Sequence, residues 1–466
     1  TPFASGRGGI AYTASVIQKA EAECAPSCET LLLDAGDLFQ GTPVSNLSYG
    51  RPVVDIYNRM GYTATALGNH EFDWGVDTLR ARIRQSKFAF LSANLKFADG
   101  RDVPWIRADT IVVRGKTKIG IIGITTPETK TAAMPAIVRP FRFDDPAAVI
   151  DAHAKNLRAR GADVIVVTTH EGGFCNTKDG AESCTGEVFD VAGKLTEKVD
   201  LIISGHTHSL LNTHVNGIPI VQARSSGTAV DVVDMPLDEN GKPAGAAVSD
   251  VRSVNTASIT AFAPVDSMVS VASKRIAPIV NRRITTTRVP LNRDGSQYAL
   301  GNIIADAQRW SGKGDIAIMN NHGIRANLPA GEITYGKLFE IQPFANTLYR
   351  IRMTGAQVRE YLEKLVGMDD LGVHVSGITV GYNPDLARGA RITSLRLLAG
   401  RTLNEIAFYN VVTNNFIATG GSNMGPPDGS RLTPLSITDL DALIGYLKTL
   451  RSPITPPAEN RIFIAQ

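Results

Sequence analysis

Leu31-Leu-Leu-Asp34-Ala-Gly36-Asp37 is three apolar residues, an acid and a small-residue turn that ends on a second acid. An apolar run closed by such a turn reads as a short buried strand that leaves Asp37 on a tight loop at its C-terminal end. The same pattern recurs downstream. Ala64 to Leu67 opens into Leu67-Gly-Asn69-His70-Glu-Phe-Asp73, Val164 to Thr169 into Thr169-His170-Glu-Gly-Gly, and Asp200 to Ser204 into Ser204-Gly-His206-Thr-His208. Stretches with helical periodicity lie between these runs, at Val53 to Met60, Val76 to Gln85 and Glu187 to Lys198, and Lys118 to Ile124 adds another β-branched run. Strand–helix alternation of this kind predicts an α/β layered fold, which presents its ligands beyond the C-terminal ends of its strands.

A single histidine after a strand is usually a packed or exposed residue. Four such loops in one region, each with glycine beside a carboxylate, amide or imidazole, point instead to a shared site. Hydrolysis of a phosphate ester needs a deprotonated water and neutralised phosphoryl oxygens. Two cations about 3.5–4 Å apart, bridged by one carboxylate, supply both. Imidazole, carboxylate and amide oxygen together suit zinc, manganese or iron rather than calcium. Asp37, on its glycine turn, has the short reach a bridging acid needs.

Further along, Thr213 to Val251 changes to short alternating strands with Asn-Gly turns at Asn216-Gly217 and Asn240-Gly241. Residues 264–284 have helical periodicity and no glycine, and read as a connecting helix. A second α/β region follows, with helices at Gly301 to Trp310 and Gly355 to Val366 and strands at Asp315 to Met319 and Ala407 to Thr413. The expected division is residues 1–262, a linker helix at 263–285, and residues 286–466. A chain of 466 residues is long enough for two cores. With 43% hydrophobic and 20% charged residues it has an ordinary globular composition, and a net charge of +3 gives no footprint for a nucleic-acid polymer or an anionic membrane. No apolar run reaches the roughly 18–20 residues of a membrane span. The first residues carry no signal-peptide pattern, which leaves a cytosolic protein or a mature chain already processed. Cys24 and Cys28, and Cys175 and Cys184, form two local pairs that suggest two disulfides and an oxidising compartment. A zinc cluster and four buried thiols are the alternatives.

Gly-Asp-Leu-Phe-Gln-Gly, Gly-Asn-His-Glu-Phe-Asp and Gly-His-Thr-His together resemble the calcineurin-like metallophosphatases, in particular the secreted 5′-nucleotidases. The second half adds Asn320-Asn-His-Gly-Ile-Arg325, Thr334-Tyr-Gly-Lys-Leu-Phe, Gln342-Pro-Phe344-Ala-Asn346 and Asn415-Phe416-Ile-Ala-Thr-Gly-Gly, so the resemblance covers essentially the whole chain. It implies an N-terminal metallophosphatase α/β sandwich, a linker helix and a C-terminal α/β substrate-binding domain. It further implies two divalent ions, with zinc or manganese favoured, and a small nucleotide substrate in the periplasm or outside the cell. Asp37 would bridge the metals, Asn69, His170 and His206 would complete one, and His208 would belong to the other. His70 with Asp73 matches the family's catalytic dyad. Phe344 and Phe416 match a nucleobase sandwich, Arg325 and Asn320 match nucleotide contacts, and Asn346 and Gly377 are further candidates.

The chain departs from the family in three places. The family opens with a strand and Asp-x-His, which nothing before Asp37 matches, so a truncated start is the expected account. Asp151-Ala-His153 has the right letters but lies in the helical stretch Pro146 to Arg160, where it reads as helix surface. Gly420-Gly-Ser422-Asn423 stands where the family has Gly-Gly-Asp-Gly, which removes a charged acceptor for the ribose. The arginine-rich approach to the Gly301 helix is reduced to Arg293-Asp-Gly-Ser-Gln-Tyr, and His322 replaces a loop glycine. Phosphate-monoester hydrolysis, most simply of nucleoside 5′-monophosphates, is the leading expectation. The alternatives are the same chemistry on cyclic nucleotides, nucleotide sugars or a sulfur ester, and an impaired nucleotide-binding protein.

Overall fold

The computed structural model describes residues 6–178, 181–245, 247–366, 368, 372–457 and 460–465. Residues 1–5, which open the chain, lie outside them. The chain divides into two compact units: residues up to Gln40 together with Val44–Lys274, and Gly41–Pro43 together with Arg275 onward. The division falls inside the helix Ala263–Val280. Among the described residues, no helix is long and apolar enough to cross a membrane.

The first unit is built on two sheets. A parallel three-stranded sheet runs Leu33–Asp34, Ala64–Ala66, Ala89–Leu91. A six-stranded sheet runs in the order Leu210–Val215, Ile218–Ala223, Leu201–Ile203, Val164–Thr169, Thr117–Ile124, Asp109–Arg114. Its central strands are continuous apolar runs because both faces are covered, and the period of two sorts their side chains. Ile122, Ile124, Ile165, Val167 and Ile202 pack with Ile150, Leu157, Val188 and Val191 of the helices Pro146–Ala159 and Glu187–Lys194. Ile121, on the other face, meets Ala64 and Leu91 of the smaller sheet, with Leu33 against them. The smaller sheet is covered in turn through Val54, Tyr57 and Leu79 of the helices Arg51–Met60 and Val76–Gln85. The layers are therefore helix, sheet, sheet, helix, an α/β sandwich of the layered kind that the alternation predicts.

The Asn216-Gly217 turn forms as read. Both residues are left-handed, at φ 51° and 78°, and join two antiparallel strands by a two-residue loop. Asn240-Gly241 closes a longer connection between Ala229–Asp234 and Val248–Ser253, where the Asp238 carboxylate accepts from the amides of Asn240 and Lys242. The helix from Glu187 stops at Lys194, short of the expected Lys198. Asp151 and His153 do lie on a helix, and both are engaged there. Asp151 accepts from the Thr196 and Glu197 amides, and His153 Nδ1 sits 2.7 Å from Asp109.

The second unit carries a mixed five-stranded sheet in the order Val373–Ser376, Ile316–Asn320, Phe408–Asn414, Thr347–Thr354, Arg431–Thr438. Ile316, Ile318, Ile351, Met353 and Val411 pack on one face against Val358, Tyr361, Leu362 and Leu365 of the helix Gly355–Val366. Ala317, Leu348 and Val412 face the other way, onto Ala442 of the helix Asp439–Thr449. The helix Ala299–Gly312 lies so close to this face that a Cβ on Gly312 would strike Val412.

Candidate active site

Three loops of the first unit meet at the C-terminal ends of their strands. Asp37 follows Leu33–Asp34, Asn69 and His70 follow Ala64–Ala66, and His170 follows Val164–Thr169. Two glycines permit the approach. A Cβ on Gly36, itself at φ 93°, would lie 2.8 Å from the Gly68 amide nitrogen and 3.0 Å from His170 Nδ1, and one on Gly68 would strike the Asp37 carboxylate. Asp34 braces the base of the loop, accepting from the Gly36 amide at 2.8 Å and the Tyr57 hydroxyl at 2.9 Å.

Within this cluster His170 is 2% exposed and its Nδ1 donates to the Ala35 carbonyl at 2.7 Å. The lone pair of the neutral ring is therefore left on Nε2. That nitrogen lies 3.0 Å from Asp37 Oδ2 without the alignment of a hydrogen bond. Two lone pairs facing each other in a buried site require a positive charge, either a proton or a metal cation. Burial alone would raise the Asp37 carboxyl, but the His170 and His70 rings outweigh it and hold Asp37 well below the usual carboxylate range. Burial would lower His170, yet the Asp37 charge outweighs it and raises the imidazole. The Asn69 side-chain oxygen, in a residue 3% exposed, has no hydrogen-bond donor among the described residues. A buried acceptor left without a donor costs about 1–3 kcal/mol unless something electropositive meets it. Asp37, His170 and Asn69 thus fit the oxygen and nitrogen donor set of a zinc- or manganese-type ion.

His206 and His208 come from the fourth loop, which is held to the His170 loop by Thr207 and Ser204. The Thr207 hydroxyl donates to the Gly173 carbonyl at 2.9 Å, and the Ser204 hydroxyl to the Glu171 carbonyl at 2.6 Å. The His206 ring lies 5.0 Å from the His170 ring, and its Nε2 meets Glu128 Oε2 at 2.9 Å, which leaves Nδ1 as its lone-pair nitrogen. His208 is exposed. Among the described residues no three His, Cys, Asp or Glu side chains converge closely enough to hold an ion by themselves. His70 Nδ1 lies 2.9 Å from Asp73 Oδ2, and the His70 amide donates to Asp37 Oδ1 at 2.9 Å.

Three of these residues have a left-handed backbone: Asp37 at φ 60°, His206 at 68° and His208 at 59°. Asp and His reach that region more readily than most residues, and such strain collects where the surroundings dictate the geometry. Sequence reading assigned no role to two carboxylates here. Glu71 stands inside the quoted Gly-Asn-His-Glu motif, and its letter was visible although its partners were not. Glu128, reaching His206 from a separate loop, left no local signal.

In the second unit, Asn320 ends its strand, and its side-chain oxygen accepts from Asn414 at 3.0 Å. The Arg325 guanidinium lies 5.9 Å from the Phe344 ring centroid. Phe416 is half-buried at the edge of the core, and a Cβ on Gly421 would collide with its ring. Ser422 and Asn423 follow at φ 50° and 57°. Two candidates have structural partners of their own. Gly377 lies beyond the register pair Ala317–Ser376, whereas Asn320 pairs with Val373, so the two sit at opposite ends of one strand. Its glycine is demanded by φ 83° and by the Asp315 carbonyl, which would collide with a Cβ. Asn346 turns inward, its side chain donating to Asp439 Oδ2 at 3.3 Å and its carbonyl accepting from the Asp439 amide at 2.8 Å.

The cysteines pair as read, Cys24 with Cys28 and Cys175 with Cys184, the second across a hairpin in which the two residues are directly opposed.

Residues 6–210 match the family model for calcineurin-like phosphoesterases, a class to which this sandwich with its four loops at the strand ends corresponds. Residues 280–426 match the 5′-nucleotidase C-terminal domain. With both segments in that order, the chain belongs to the 5′-nucleotidase family. A snake venom 5′-nucleotidase of Naja atra is 29% identical over 98% of this chain and 92% of its own length. The endonuclease YhcR of Bacillus subtilis (strain 168) is also 29% identical over 98% of this chain, which covers 38% of that protein. The chain spans 37% to 66% of the length of YhcR and two further relatives. A crystal structure of the 5′-nucleotidase precursor from Thermus thermophilus has the same fold, with a TM-score of 0.84 and 27% identity over 99% of this chain and 94% of that one.

Proposed function

We propose that this protein hydrolyses phosphate monoesters at a pair of divalent metal ions, with nucleoside 5′-monophosphates as substrates and nucleoside and phosphate as products. The observation that carries the reading is the facing of His170 Nε2 and Asp37 Oδ2 at 3.0 Å, and the donorless buried oxygen of Asn69 supports it. Asp37, Asn69, His170 and His206 would hold one ion, and Asp37 with His208 would contribute to the other, zinc or manganese being the ions their donor types suit. When bound, such ions neutralise phosphoryl oxygens and lower the pKa of the attacking water. His70, oriented by Asp73, would donate a hydrogen bond to the phosphoryl group and a proton to the leaving oxygen. Asp73 would hold a proton on His70 Nδ1, which leaves Nε2 as the nitrogen that would act on the phosphoryl group.

Phe344 and Phe416 would stack on the base, and Arg325 and Asn320 would contact the nucleotide. Stacking contributes about 1–3 kcal/mol per base. Ser422 offers a hydroxyl where a carboxylate would bind both ribose hydroxyls, so we infer weaker sugar discrimination than a family member with the acid. The paired cysteines and relatives named for venom and cell wall support a periplasmic or secreted site of action.

The test is phosphate release from AMP by the purified protein with added zinc or manganese, abolished by chelator. A panel adding 2′,3′-cyclic nucleotides, nucleotide sugars and a sulfur ester locates the substrate class. Full activity in a His70→Ala, Asp37→Ala double variant would overturn the mechanism, and preference for a non-nucleotide would overturn the substrate assignment.

A further inference from the structure

Glu71 is 1% exposed, and its carboxylate ends on backbone amides. Its Oε2 accepts from the Asp37 amide at 2.9 Å and the Gly68 amide at 2.7 Å, and its Oε1 accepts from the Leu38 amide at 2.7 Å. The Gly68 bond fixes the carboxylate to its own loop, and the other two reach across 33 and 34 residues to the loop of Asp37. An ionised carboxylate can accept from three N–H groups at once with both of its oxygens, whereas an amide of the same size turns an N–H toward one of them. Gly68 has no room for a Cβ between the Asp37 carboxylate and Glu71 Oε2, so the two acids share one glycine floor. Asp37 is also held at φ 60°, a conformation that persists only where neighbours over-determine it. Its own amide and the next one both end on Glu71.

We propose that Glu71 is the positioning residue of this centre. It locks the left-handed turn at Asp37 and thereby sets where the Asp37 carboxylate stands relative to Asn69 and His70. A relay of this order is visible in the bonds: Glu71 holds the Asp37 backbone, and Asp37 Oδ1 in turn accepts the His70 amide at 2.9 Å. With both oxygens committed to amides, Glu71 acts through Asp37 and not as a ligand.

The proposal rests on the metal-centre reading, and its test separates the two. Full-length wild type, Glu71→Gln, Glu71→Asp and a core-trimming control, Ile150→Val in the helix Pro146–Ala159, are compared by three measurements: amide exchange of the metal-free chain, zinc affinity by chelator competition, and kcat and KM for AMP. Glu71→Gln is expected to speed exchange at Asp37, Leu38 and Gly68, and also at His70, whose amide Glu71 does not touch. Zinc affinity should fall on the order of 10- to 100-fold, the usual effect of removing an outer partner of a metal ligand. The expected kinetic effect is a lower kcat with KM for AMP nearly constant. Glu71→Asp keeps the charge with a shorter reach and should recover part of the affinity, and it supplies the exchange reading if Glu71→Gln does not fold. Wild-type exchange at His70 in the variants, zinc affinity within about twofold of wild type, or an equal loss in the Ile150→Val control would overturn the proposal. A wild type without phosphatase activity would defeat the hydrolase reading alone, because exchange at His70 would still report on Glu71.

Discussion

His374 gives the second unit a pH dependence that can be worked out in advance. The residue is fully buried, its ring lies against the backbone of Gly301 and edge-on to Tyr298 with centroids 4.3 Å apart, and its Nδ1 is 3.2 Å from Asn302 Oδ1. Burial, reinforced by the charge of Arg461, pushes its pKa down to about 3. In the unfolded chain an unperturbed histidine titrates near 6.5. The folded pKa is depressed, so between these values the unfolded state binds more protons, and stability present above about pH 6.5 is lost as pH falls toward 3. At pH 5 the loss is RT ln(1 + 10^1.5), about 2 kcal/mol, and it is insensitive to the folded value as long as that stays below about 4.

The perturbation is His374→Phe, which keeps a ring on Gly301 and removes the titration. Its packing cost is constant with pH, so only the slope is read. The assay is native-state amide exchange of the strand Val373–Ser376 from pH 8 to pH 5, corrected for intrinsic rates, which reports opening of this unit without assuming that the whole chain unfolds in one step. Wild type should lose about 2 kcal/mol more than the variant across that range. Parallel profiles, or a His374 ring that titrates near 6.5 in the folded protein, would refute the reasoning.

Replacing Asp73 by Asn should lower kcat by about 10²- to 10⁴-fold with little change in KM, because it leaves His70 in place without its orienting charge; steady-state kinetics on AMP checks this. Asn69→Ala should weaken zinc binding while leaving the melting temperature of the metal-free protein equal or higher, since it removes a buried oxygen that has no donor; calorimetry with and without zinc reads both signs. Phe416→Ala should raise KM for AMP by about 5- to 150-fold, the equivalent of about 1–3 kcal/mol of stacking, with kcat much less affected. Arg461→Leu removes the partner of Asp306, whose carboxylate it meets at 2.7 and 2.9 Å, and should destabilise the second unit by about 3 kcal/mol or more in denaturant unfolding.

Much of the first unit was readable because its information is local. An apolar run, a glycine and a polar ligand type occupy a few consecutive residues, and the buried central strands needed no long-range partner to be recognised. The four loops carried their own candidate ligands for the same reason. Harder to read were the contacts that fix those ligands. Asp37 was legible, but the acid that holds its backbone lies 34 residues away, and the carbonyl that selects the His170 nitrogen lies 135 residues away. The second unit shows the same limit from the other side. Asn346 and Gly377 sit in plausible motif surroundings, yet one side chain is drawn inward by the helix start at Asp439, and the other position is a glycine because of a carbonyl it touches. A motif letter records that a residue type is needed and not which neighbour needs it.

The backbone conformations connect these observations. Asp37, His206 and His208 are all left-handed, and each lies in a loop whose closure depends on a tight packing partner: Gly36 against Gly68, and Gly172 against Gly205 and Thr207. A side chain leaving a left-handed residue points away from the direction that a regular turn would give it, so the three candidate donors take directions that a regular turn would not give. That geometry costs of order 1–3 kcal/mol at each position, and at Asp37 the amide bonds to Glu71 help to hold it. Replacing Asp37 by Gly, which removes both the strain and the carboxylate, should therefore cost the metal-free protein much less stability than it costs in zinc affinity. If the metal-free melting temperature fell as steeply as the affinity, the turn would be serving the fold rather than the site.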